Sequence, residues 1–298
     1  MTADHHGNPG AGGSVASEET GARNLGRRVV SALVLAPVAL GAAYLGGWAF
    51  TLVSLVAAAA ILREWASLAT HRPDPRVVAP GLFALGLAAV LAGLGETPIA
   101  IAITLSGAIL AGLALGAWPQ RDRPAMPPLW GAGGVIYAGI LLLSAVLLRN
   151  DPDFGLRALL FLFTAVWATD ILAYFVGRAI GGPLLWPRLS PNKTWAGALG
   201  GLVGGVAATV AVAYASGGPR AAVAGTLALI LSIAAQAGDL LESAVKRRFG
   251  VKDTSNLIPG HGGMMDRLDG FLVAAVAAVL IGILRQGLAA PARGLLVW

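Results

Sequence analysis

Long apolar stretches dominate this sequence and limit what the chain can fold into. About 20 consecutive apolar residues in an α-helix span the hydrocarbon core of a bilayer. Stretches of this kind recur along the 298 residues, with short polar links between them. They predict about nine helices, at residues 29–45, 48–68, 78–95, 98–117, 129–148, 157–177, 194–215, 220–238 and 268–289. The sequence therefore predicts an all-α, polytopic integral membrane protein.

The composition agrees with this prediction and excludes several other classes of protein. Hydrophobic residues make up 56% of the chain, and its mean hydropathy is +0.74. The short segments of alternating hydrophobicity that a β-barrel needs do not occur. The chain has no Cys, which excludes disulfides, thiolate zinc sites and cysteine nucleophiles.

Basic residues are distributed unevenly between the two sides of the predicted bundle. The N-terminal segment and the links after helices 2, 4, 6 and 8 hold 16 of the 21 Lys and Arg residues. Because cytoplasmic loops carry this excess, we expect a cytoplasmic N-terminus, a cytoplasmic link between helices 8 and 9, and an external C-terminus. The net charge of +6 lies in loops between spans, so it does not indicate nucleic acid as a partner.

Three regions follow from the positions of these stretches. Residues 1–24 are rich in Gly, Ser, Ala and Glu, and predict a disordered tail. Residues 25–150 hold the first five predicted helices, and residues 151–298 hold the four that carry most of the recognisable chemistry. Glu64, in an Arg-Glu-Trp sequence near the end of helix 2, has two interpretations. It lines a site, or it belongs to an interfacial anchor, which is the commoner case.

Asp170 lies about eight residues inside the predicted helix 157–177, a depth of roughly 12 Å at 1.5 Å per residue. An ionisable group at that depth costs several kcal/mol unless it is paired or faces water. Tyr174 follows one turn later and shares its face. The favoured interpretation is a polar cavity that reaches into the membrane, and pairing with a neighbouring helix is the alternative.

A compact polar sequence, Leu-Ser-Pro-Asn-Lys-Thr-Trp-Ala-Gly at residues 189–197, leads into helix 7. Ser190 or Asn192 is predicted to cap this helix, whose free N–H groups and partial positive charge favour an anion. Lys193 adds a charge at the same place, and an ordinary cap with a snorkelling lysine is the alternative. Glycines repeat every four residues from 197 to 205, which predicts close packing against a neighbouring helix or a second subunit.

Ionisable residues concentrate in the link between helices 8 and 9 and at its two ends. Asp239, Glu242 and Lys246 are spaced i, i+3, i+7, so they share one face if helix 8 continues through them. An exposed salt-bridged helix end would look similar, but it does not explain a second acidic pair, Asp266 and Asp269, at the start of helix 9. Two helix ends that return to one membrane face can bring these four carboxylates together. Oxygen-only ligands then predict Mg²⁺ or Mn²⁺.

Several motifs in the second half of the chain occur together in one known family. They are Ala-Thr-Asp at 168–170, Ala-Tyr at 173–174, Ser-Pro-Asn-Lys-Thr-Trp at 190–195, Gly-Asp-Leu-Leu-Glu-Ser at 238–243, Ser-Ala-Val-Lys-Arg at 243–247, Lys-Asp at 252–253, Ile-Pro-Gly-His-Gly-Gly at 258–263 and Asp-Arg-Leu-Asp at 266–269. This set resembles the signature of phosphatidate cytidylyltransferases (CDP-diacylglycerol synthases). The resemblance covers roughly residues 165–285, and the first half is similar only in hydropathy. Many members have Lys and Glu where this chain has Asn192 and Ala196, so these two positions are left out of the predicted site.

The resemblance implies a Mg²⁺-dependent membrane enzyme that joins CTP to phosphatidate, giving CDP-diacylglycerol and pyrophosphate. Mn²⁺ is implied as a substitute, and a second, monovalent cation as a further occupant of the site. The family's nine-helix fold agrees with the number of predicted spans. The resemblance also implies a homodimer in the bacterial inner membrane, with its active site on the cytoplasmic side.

The resemblance further assigns roles to individual residues. The implied metal ligands are Asp239 and Asp266, helped by Glu242 or Asp269. The implied phosphate-binding residues are Lys193, Lys246, Arg247, Lys252 and Arg267. The implied catalytic group as a whole comprises Asp239, Lys246, Lys252, Asp253, His261, Asp266, Arg267 and Asp269. The implied substrate-binding residues also include Asp170, Ser190, Thr194, Gly262 and Gly263.

Two of these assignments have a physical basis in the residue type. Gly262 and Gly263 lack a Cβ, which lets backbone N–H groups approach a ligand closely. For His261, contact with a phosphate or ordering of the loop is favoured over action as a general base, because a dianionic phosphate needs no strong base.

Two other functions use similar groups. A CTP-dependent lipid-alcohol kinase also combines a nucleotide with a membrane lipid. A transporter carries intramembrane carboxylates as well, but these are distributed among several helices near the midplane. In this sequence the charges crowd one predicted cytoplasmic edge, which favours an enzyme over a transporter.

Overall fold

A computed structural model describes residues 33–68, 72–117, 127–255, 257 and 262–298. In this part of the chain the elements are, in order, α1 (Leu33–Leu45), α2 (Gly47–Ser67), α3 (Pro75–Gly93), α4 (Thr97–Ala117), α5 (Pro128–Arg149), α6 (Gly155–Ile180), β1 (Leu184–Trp186), β2 (Ser190–Thr194), α7 (Trp195–Ala215), α8 (Ala221–Arg248), α9 (Met265–Gln286) and α10 (Pro291–Leu296).

The helices α2 to α9 are the eight in the described residues that are long and apolar enough to cross a membrane. They correspond to predicted helices 2 to 9, so the prediction of an all-α, polytopic membrane protein is confirmed. An α-helix satisfies its backbone polar groups internally, which is what a hydrocarbon environment requires. The predicted start of helix 1 at 29–32 and the predicted tail at 1–24 lie outside the described residues.

The largest difference from the predicted boundaries is at the end of α8. This helix continues to Arg248, ten residues past its predicted end at 238. Hydropathy falls where the charged residues begin, but the helix continues, and Glu242 and Lys246 form an i, i+4 ion pair along the extension. The extension is what carries the ionisable face of α8 towards α9.

The short elements β1, β2 and α10 were not predicted. β1 and β2 pair antiparallel and form a hairpin between α6 and α7. Because this hairpin includes Ser190 and Asn192, the prediction that one of them caps helix 7 is wrong. Thr194 is the cap, since its hydroxyl oxygen accepts a hydrogen bond of 3.1 Å from the N–H of Gly197.

Small residues bring the helices of the second half close together. A Cβ added to Gly201 on α7 would lie 2.7 Å from the carbonyl oxygen of Thr169 on α6, so only glycine fits there. The predicted close packing of helix 7 against a neighbouring helix is therefore confirmed. On α8, Gly238 lies directly against the backbone of Asp269 on α9. This contact fixes the ends of α8 and α9 beside each other.

The described helices pack as two groups that meet at α6 and α9. Helices α2 to α5 pack on one another, and α6 to α9 form the second group. Both α5 and α2 also contact α9. Residues from the first half of the chain therefore lie against the helix that starts with Asp266.

Candidate active site

A cavity of about 820 Å³ opens where α6, α8 and α9 end or begin, beside the β1–β2 hairpin and the start of α7. Many of the residues singled out in the sequence line it: Asp170, Ser190, Lys193, Thr194, Asp239, Lys246, Asp253, Asp266, Arg267 and Asp269. Asp239 comes from α8 and Asp266 from α9, so the two acidic helix ends do meet at one cavity. Residues up to 99 positions apart in the sequence are brought together here.

Three carboxylates from two helices form a compact group. Asp239 and Glu242 lie on α8, Asp269 lies on α9, and oxygens of the three are all within 4.8 Å of one another. Glu242 is only 1% exposed. Within the described residues, neither of its oxygens makes a hydrogen bond of regular geometry, although Lys246 Nζ lies 2.6 Å from Oε2. Buried carboxylate oxygens without such partners are costly, and a set of oxygen donors at this spacing fits a hard divalent cation.

Asp266 has a different environment from these three. Its Oδ1 accepts a hydrogen bond of 2.8 Å from Lys246 Nζ. Its Oδ2 accepts one of 2.7 Å from the N–H of Gly263 and two of 3.0 Å from the N–H and the hydroxyl of Thr254. Both oxygens are thus engaged by the protein, and Asp266 is not one of the compact group of three. Its role as a metal ligand stays a prediction.

Lys246 connects the two sets of carboxylates. Its ammonium lies 2.6 Å from Glu242 Oε2 and 2.8 Å from Asp266 Oδ1, and its side chain is 13% exposed. A buried cation between two buried anions offsets their repulsion, and removing it would leave both uncompensated. Because two protein carboxylates already occupy this ammonium, contact of Lys246 with a phosphate stays a prediction.

The hairpin places Lys193 beside the acidic group. Its ammonium forms an ion pair with Asp239. Burial lowers the pKa of Lys193, while the carboxylates of Asp269, Asp170 and Glu242 act in the opposite direction. An anionic ligand in the cavity would compete with Asp239 for this ammonium.

Asp170 lies on the cavity wall, as the favoured interpretation of this residue requires. The neighbouring Tyr174 also lines the cavity, and its hydroxyl oxygen accepts a hydrogen bond of 3.1 Å from Arg178. The cavity therefore extends from the polar ends of α8 and α9 along α6.

Five predicted residues that the structure describes do not line this cavity: Glu242, Arg247, Lys252, Gly262 and Gly263. Arg247 points away and donates hydrogen bonds of 3.3 Å to the carbonyl oxygens of Leu189 and Val251. Lys252 lines a second cavity of about 570 Å³, which shares Asp253 with the first. His261 lies outside the described residues. Roles for Arg247, Lys252 and His261 in binding or catalysis stay predictions.

The two glycines before α9 lie against Asp266. Gly262 has a positive φ of 78°, and a Cβ there would lie 2.7 Å from Asp266 Oδ2. The N–H of Gly263 donates to the same oxygen. The close approach that these glycines allow is therefore made to a protein carboxylate, and their contact with substrate stays a prediction.

Glu64 is the residue whose place the sequence did not reveal. It is 4% exposed, and its carboxylate accepts hydrogen bonds from the backbone N–H groups of Met264 and Met265 at the start of α9. The preferred interpretation, an interfacial anchor, is wrong because the side chain is buried in the protein. The only signal was an acidic residue, beside Arg63, near the end of a mostly apolar helix. Its partners lie about 200 positions further along the chain, where no local pattern points back to it.

The fold and the site define a class: a polytopic helical membrane protein with a carboxylate- and lysine-lined cavity at the ends of its helices. The chain belongs to the cytidylyltransferase family, whose model matches residues 26–284. The matched residues include α1 to α5, although the recognisable motifs of the family all lie in the second half of the chain.

Bacterial relatives share much of the sequence. A phosphatidate cytidylyltransferase of Brucella abortus biovar 1 (strain 9-941) is 42% identical over 259 residues, which cover 87% of this chain and 93% of the relative. The phosphatidate cytidylyltransferase of Bacillus subtilis (strain 168) is 42% identical over 138 residues, or 46% of this chain and 51% of the relative. That of Haemophilus influenzae is 46% identical over 147 residues, covering 47% and 50%.

Proposed function

We propose that this protein transfers the cytidylyl group of CTP to phosphatidate, giving CDP-diacylglycerol and pyrophosphate. The observation that carries the proposal is one cavity in which the carboxylates of Asp239 and Asp269 lie beside the cations Lys193 and Arg267, at the ends of membrane helices. A reaction between two phosphate anions, one of them attached to a lipid, requires cationic groups at the edge of the membrane. The relatives named phosphatidate cytidylyltransferase support the assignment.

The chemistry requires charge neutralisation more than a base. An oxygen of the lipid phosphate attacks the α-phosphorus of CTP, the bond from that phosphorus to the bridging oxygen of the β-phosphate breaks, and pyrophosphate leaves. A phosphomonoester has its second pKa near 6, so it is largely dianionic at neutral pH and already nucleophilic. Fixed cations that hold the two anions in line lower the barrier by orientation and electrostatics. Lys193 and Arg267 line the cavity and would hold these phosphates.

We assign the binding of Mg²⁺, or of Mn²⁺ in its place, to Asp239, Glu242 and Asp269. Their oxygens are within 4.8 Å of one another, and Glu242 has buried oxygens without regular hydrogen bonds. When bound, such a cation neutralises charge on the phosphates of the nucleotide. Asp266 completes the acidic wall as a further candidate ligand, and a second, monovalent cation is the remaining part of this proposal.

The site is proposed to face the cytoplasm of a bacterial inner membrane. The excess of Lys and Arg in the N-terminal segment and in the links after helices 2, 4, 6 and 8 supports this orientation. CTP would then enter from the cytoplasm and phosphatidate from the adjoining leaflet. The family resemblance supports a homodimer as the assembled form.

The fate of radioactive phosphate from CTP tests the proposal. Purified protein in lipid vesicles that contain phosphatidate is expected to transfer the label of α-³²P-CTP into the lipid fraction and to release the γ-label as pyrophosphate. Parallel reactions use α-labelled and γ-labelled CTP, and thin-layer chromatography of the lipid fraction and of the aqueous fraction measures the two products.

The same experiment separates the alternatives. A lipid-alcohol kinase would move the γ-label into a lipid that carries a hydroxyl group and would leave the α-label in the nucleotide. A transporter would leave both labels out of the lipid. Either pattern would refute cytidylyl transfer.

Lys193→Met is expected to raise the KM for CTP about tenfold or more, because a hydrogen bond to a charged group contributes about 1.5–3 kcal/mol. The methionine keeps the length of the side chain and removes its charge. Arg188→Met, an exposed cation in the same hairpin, is the matched control and should leave KM unchanged. Ala196→Glu is expected to have a smaller effect than Lys193→Met. Equal KM values for Lys193→Met and wild type would remove Lys193 from the substrate site.

A further inference from the structure

Glu64 connects the first half of the chain to the catalytic half through three hydrogen bonds and a close contact with a hydroxyl. Its Oε1 accepts from the Ser255 hydroxyl at 2.7 Å and from the Met264 N–H at 2.8 Å. Its Oε2 accepts from the Met265 N–H at 2.7 Å and lies 3.3 Å from the Thr254 hydroxyl. A carboxylate that is 4% exposed and engaged on both oxygens is held firmly in place.

Two of these bonds satisfy the start of α9. The first N–H groups of a helix have no partner within the helix, and a residue just before it usually supplies one. Met264 occupies that position in α9 and has no side-chain oxygen to offer. Glu64 supplies the missing acceptors from α2, and its negative charge also suits the positive end of the helix dipole.

The contact with Thr254 leads to the acidic wall of the cavity. The Thr254 hydroxyl lies between Glu64 Oε2 at 3.3 Å and Asp266 Oδ2 at 3.0 Å. The Gly263 N–H donates to Asp266, while the next two N–H groups donate to Glu64. Three successive N–H groups are thus divided between one carboxylate on the cavity and one behind it. No side chain fits between them, because a Cβ on Gly263 would lie 2.6 Å from Glu64 Oε2.

We propose that Glu64 is a positioning residue for cytidylyl transfer, which holds Thr254 and the first turn of α9 so that Asp266 and Asp269 keep their places on the cavity. Glu64 is not among the residues that line the cavity, so it acts through these neighbours and does not contact substrate. The inference rests on the proposed function. It gives the first half of the chain a part in the reaction beyond crossing the membrane.

The test compares Glu64→Gln with wild type in the full-length protein in detergent and in vesicles. An amide oxygen can replace one carboxylate oxygen, but the amide NH₂ cannot accept from an N–H group at the start of α9. We expect kcat to fall about 10- to 100-fold, as is typical when a supporting hydrogen bond behind a site is lost. We also expect the rise in thermal midpoint on adding Mg²⁺ to be reduced, because the carboxylates that bind the cation are displaced.

Controls distinguish positioning from a general loss of structure. Glu96→Gln removes an exposed carboxylate from the link between α3 and α4 and should match wild type in both measurements. Thr254→Val keeps the shape of that side chain and removes the hydroxyl between Glu64 and Asp266. It should reproduce both effects of Glu64→Gln in weaker form. If Glu64→Gln fails to fold, Ser255→Ala decides the question, because it removes the hydroxyl that donates to Glu64 Oε1; it should lower both quantities, and wild-type values would overturn the proposal.

Two results would overturn the proposal. The first is a kcat within about twofold of wild type for the folded variant, a change too small to indicate lost transition-state stabilisation. The second is an unchanged response of the thermal midpoint to Mg²⁺, whatever happens to kcat. Wild type provides a separate check on the proposed function. If wild type transfers no α-label to lipid, the proposed reaction is wrong, and this result is distinct from a failure of the role assigned to Glu64.

Discussion

Asp239→Asn is expected to lower the rate of cytidylyl transfer about 10³-fold, since a bound cation supplies several kcal/mol of charge stabilisation and each 1.36 kcal/mol is tenfold in rate. Asp239 contributes an oxygen to the compact carboxylate group and also pairs with Lys193. Asparagine keeps the size of the side chain but removes its charge. The side chain of Asp239 is 33% exposed, so the fold should survive the substitution. The rate is measured with α-labelled CTP over a range of Mg²⁺ concentrations.

A matched variant shows whether the effect belongs to this position. Asp153→Asn removes a carboxylate that is 70% exposed. Asp153 lies just before the first residue of α6, whereas the cavity lies along the last turns of that helix. It should retain the wild-type rate. If Asp239→Asn stays within about threefold of wild type at every Mg²⁺ concentration, the lost interaction is too small for a metal ligand, and the cation site must lie elsewhere.

Most of the fold could be predicted because membrane helices are encoded locally. A run of about 20 apolar residues is sufficient to predict each span, whatever the rest of the chain does. The end of α8 could not be predicted this way, because hydropathy reports where the bilayer ends and not where the helix ends. The β1–β2 hairpin was missed for a different reason. Strands of three and five residues depend on pairing with each other and leave too short a pattern in the sequence.

The site was predictable where helical spacing determines it. Asp239 and Glu242 share a face of α8 because they are three residues apart, and Asp266 and Asp269 are related in the same way on α9. The sequence could not divide roles among these four carboxylates. That division depends on which oxygens are already engaged, and Thr254 and Gly263 engage those of Asp266 from the link before α9.

The contribution of the first half of the chain was beyond local patterns altogether. Glu64 contacts α9 because α2 and α5 pack against that helix. Such a contact between distant segments produces no periodic pattern in the sequence. The match to the family model covers both this half of the chain and the second half. A functional part for α2 is consistent with that extent, whereas a purely spanning role would require only apolar residues of the right length.

Lys246→Met is expected to have the second large effect, on stability and activity together. Lys246 is the cation between Glu242 and Asp266, and its side chain is 13% exposed. Removing one partner of a buried ion pair leaves the other charge uncompensated, which destabilises a protein by about 3 kcal/mol or more. We expect the thermal midpoint of the variant to fall by several degrees in the presence of EDTA. The rate should also fall, because the unpaired carboxylates move apart.

A second substitution tests this explanation. In Glu242→Gln/Lys246→Met one of the two buried carboxylates is neutralised together with the cation, so part of the lost stability should return, although Asp266 still lacks its partner, while the rate stays low. The difference between the double variant and the two single ones measures the coupling between the residues directly. Arg248→Met, which removes an exposed cation from the same helix, should change neither quantity. If the double variant is as unstable as Lys246→Met alone, the loss does not come from the unpaired charge of Glu242, and the packing of the lysine or the unpaired Asp266 accounts for it.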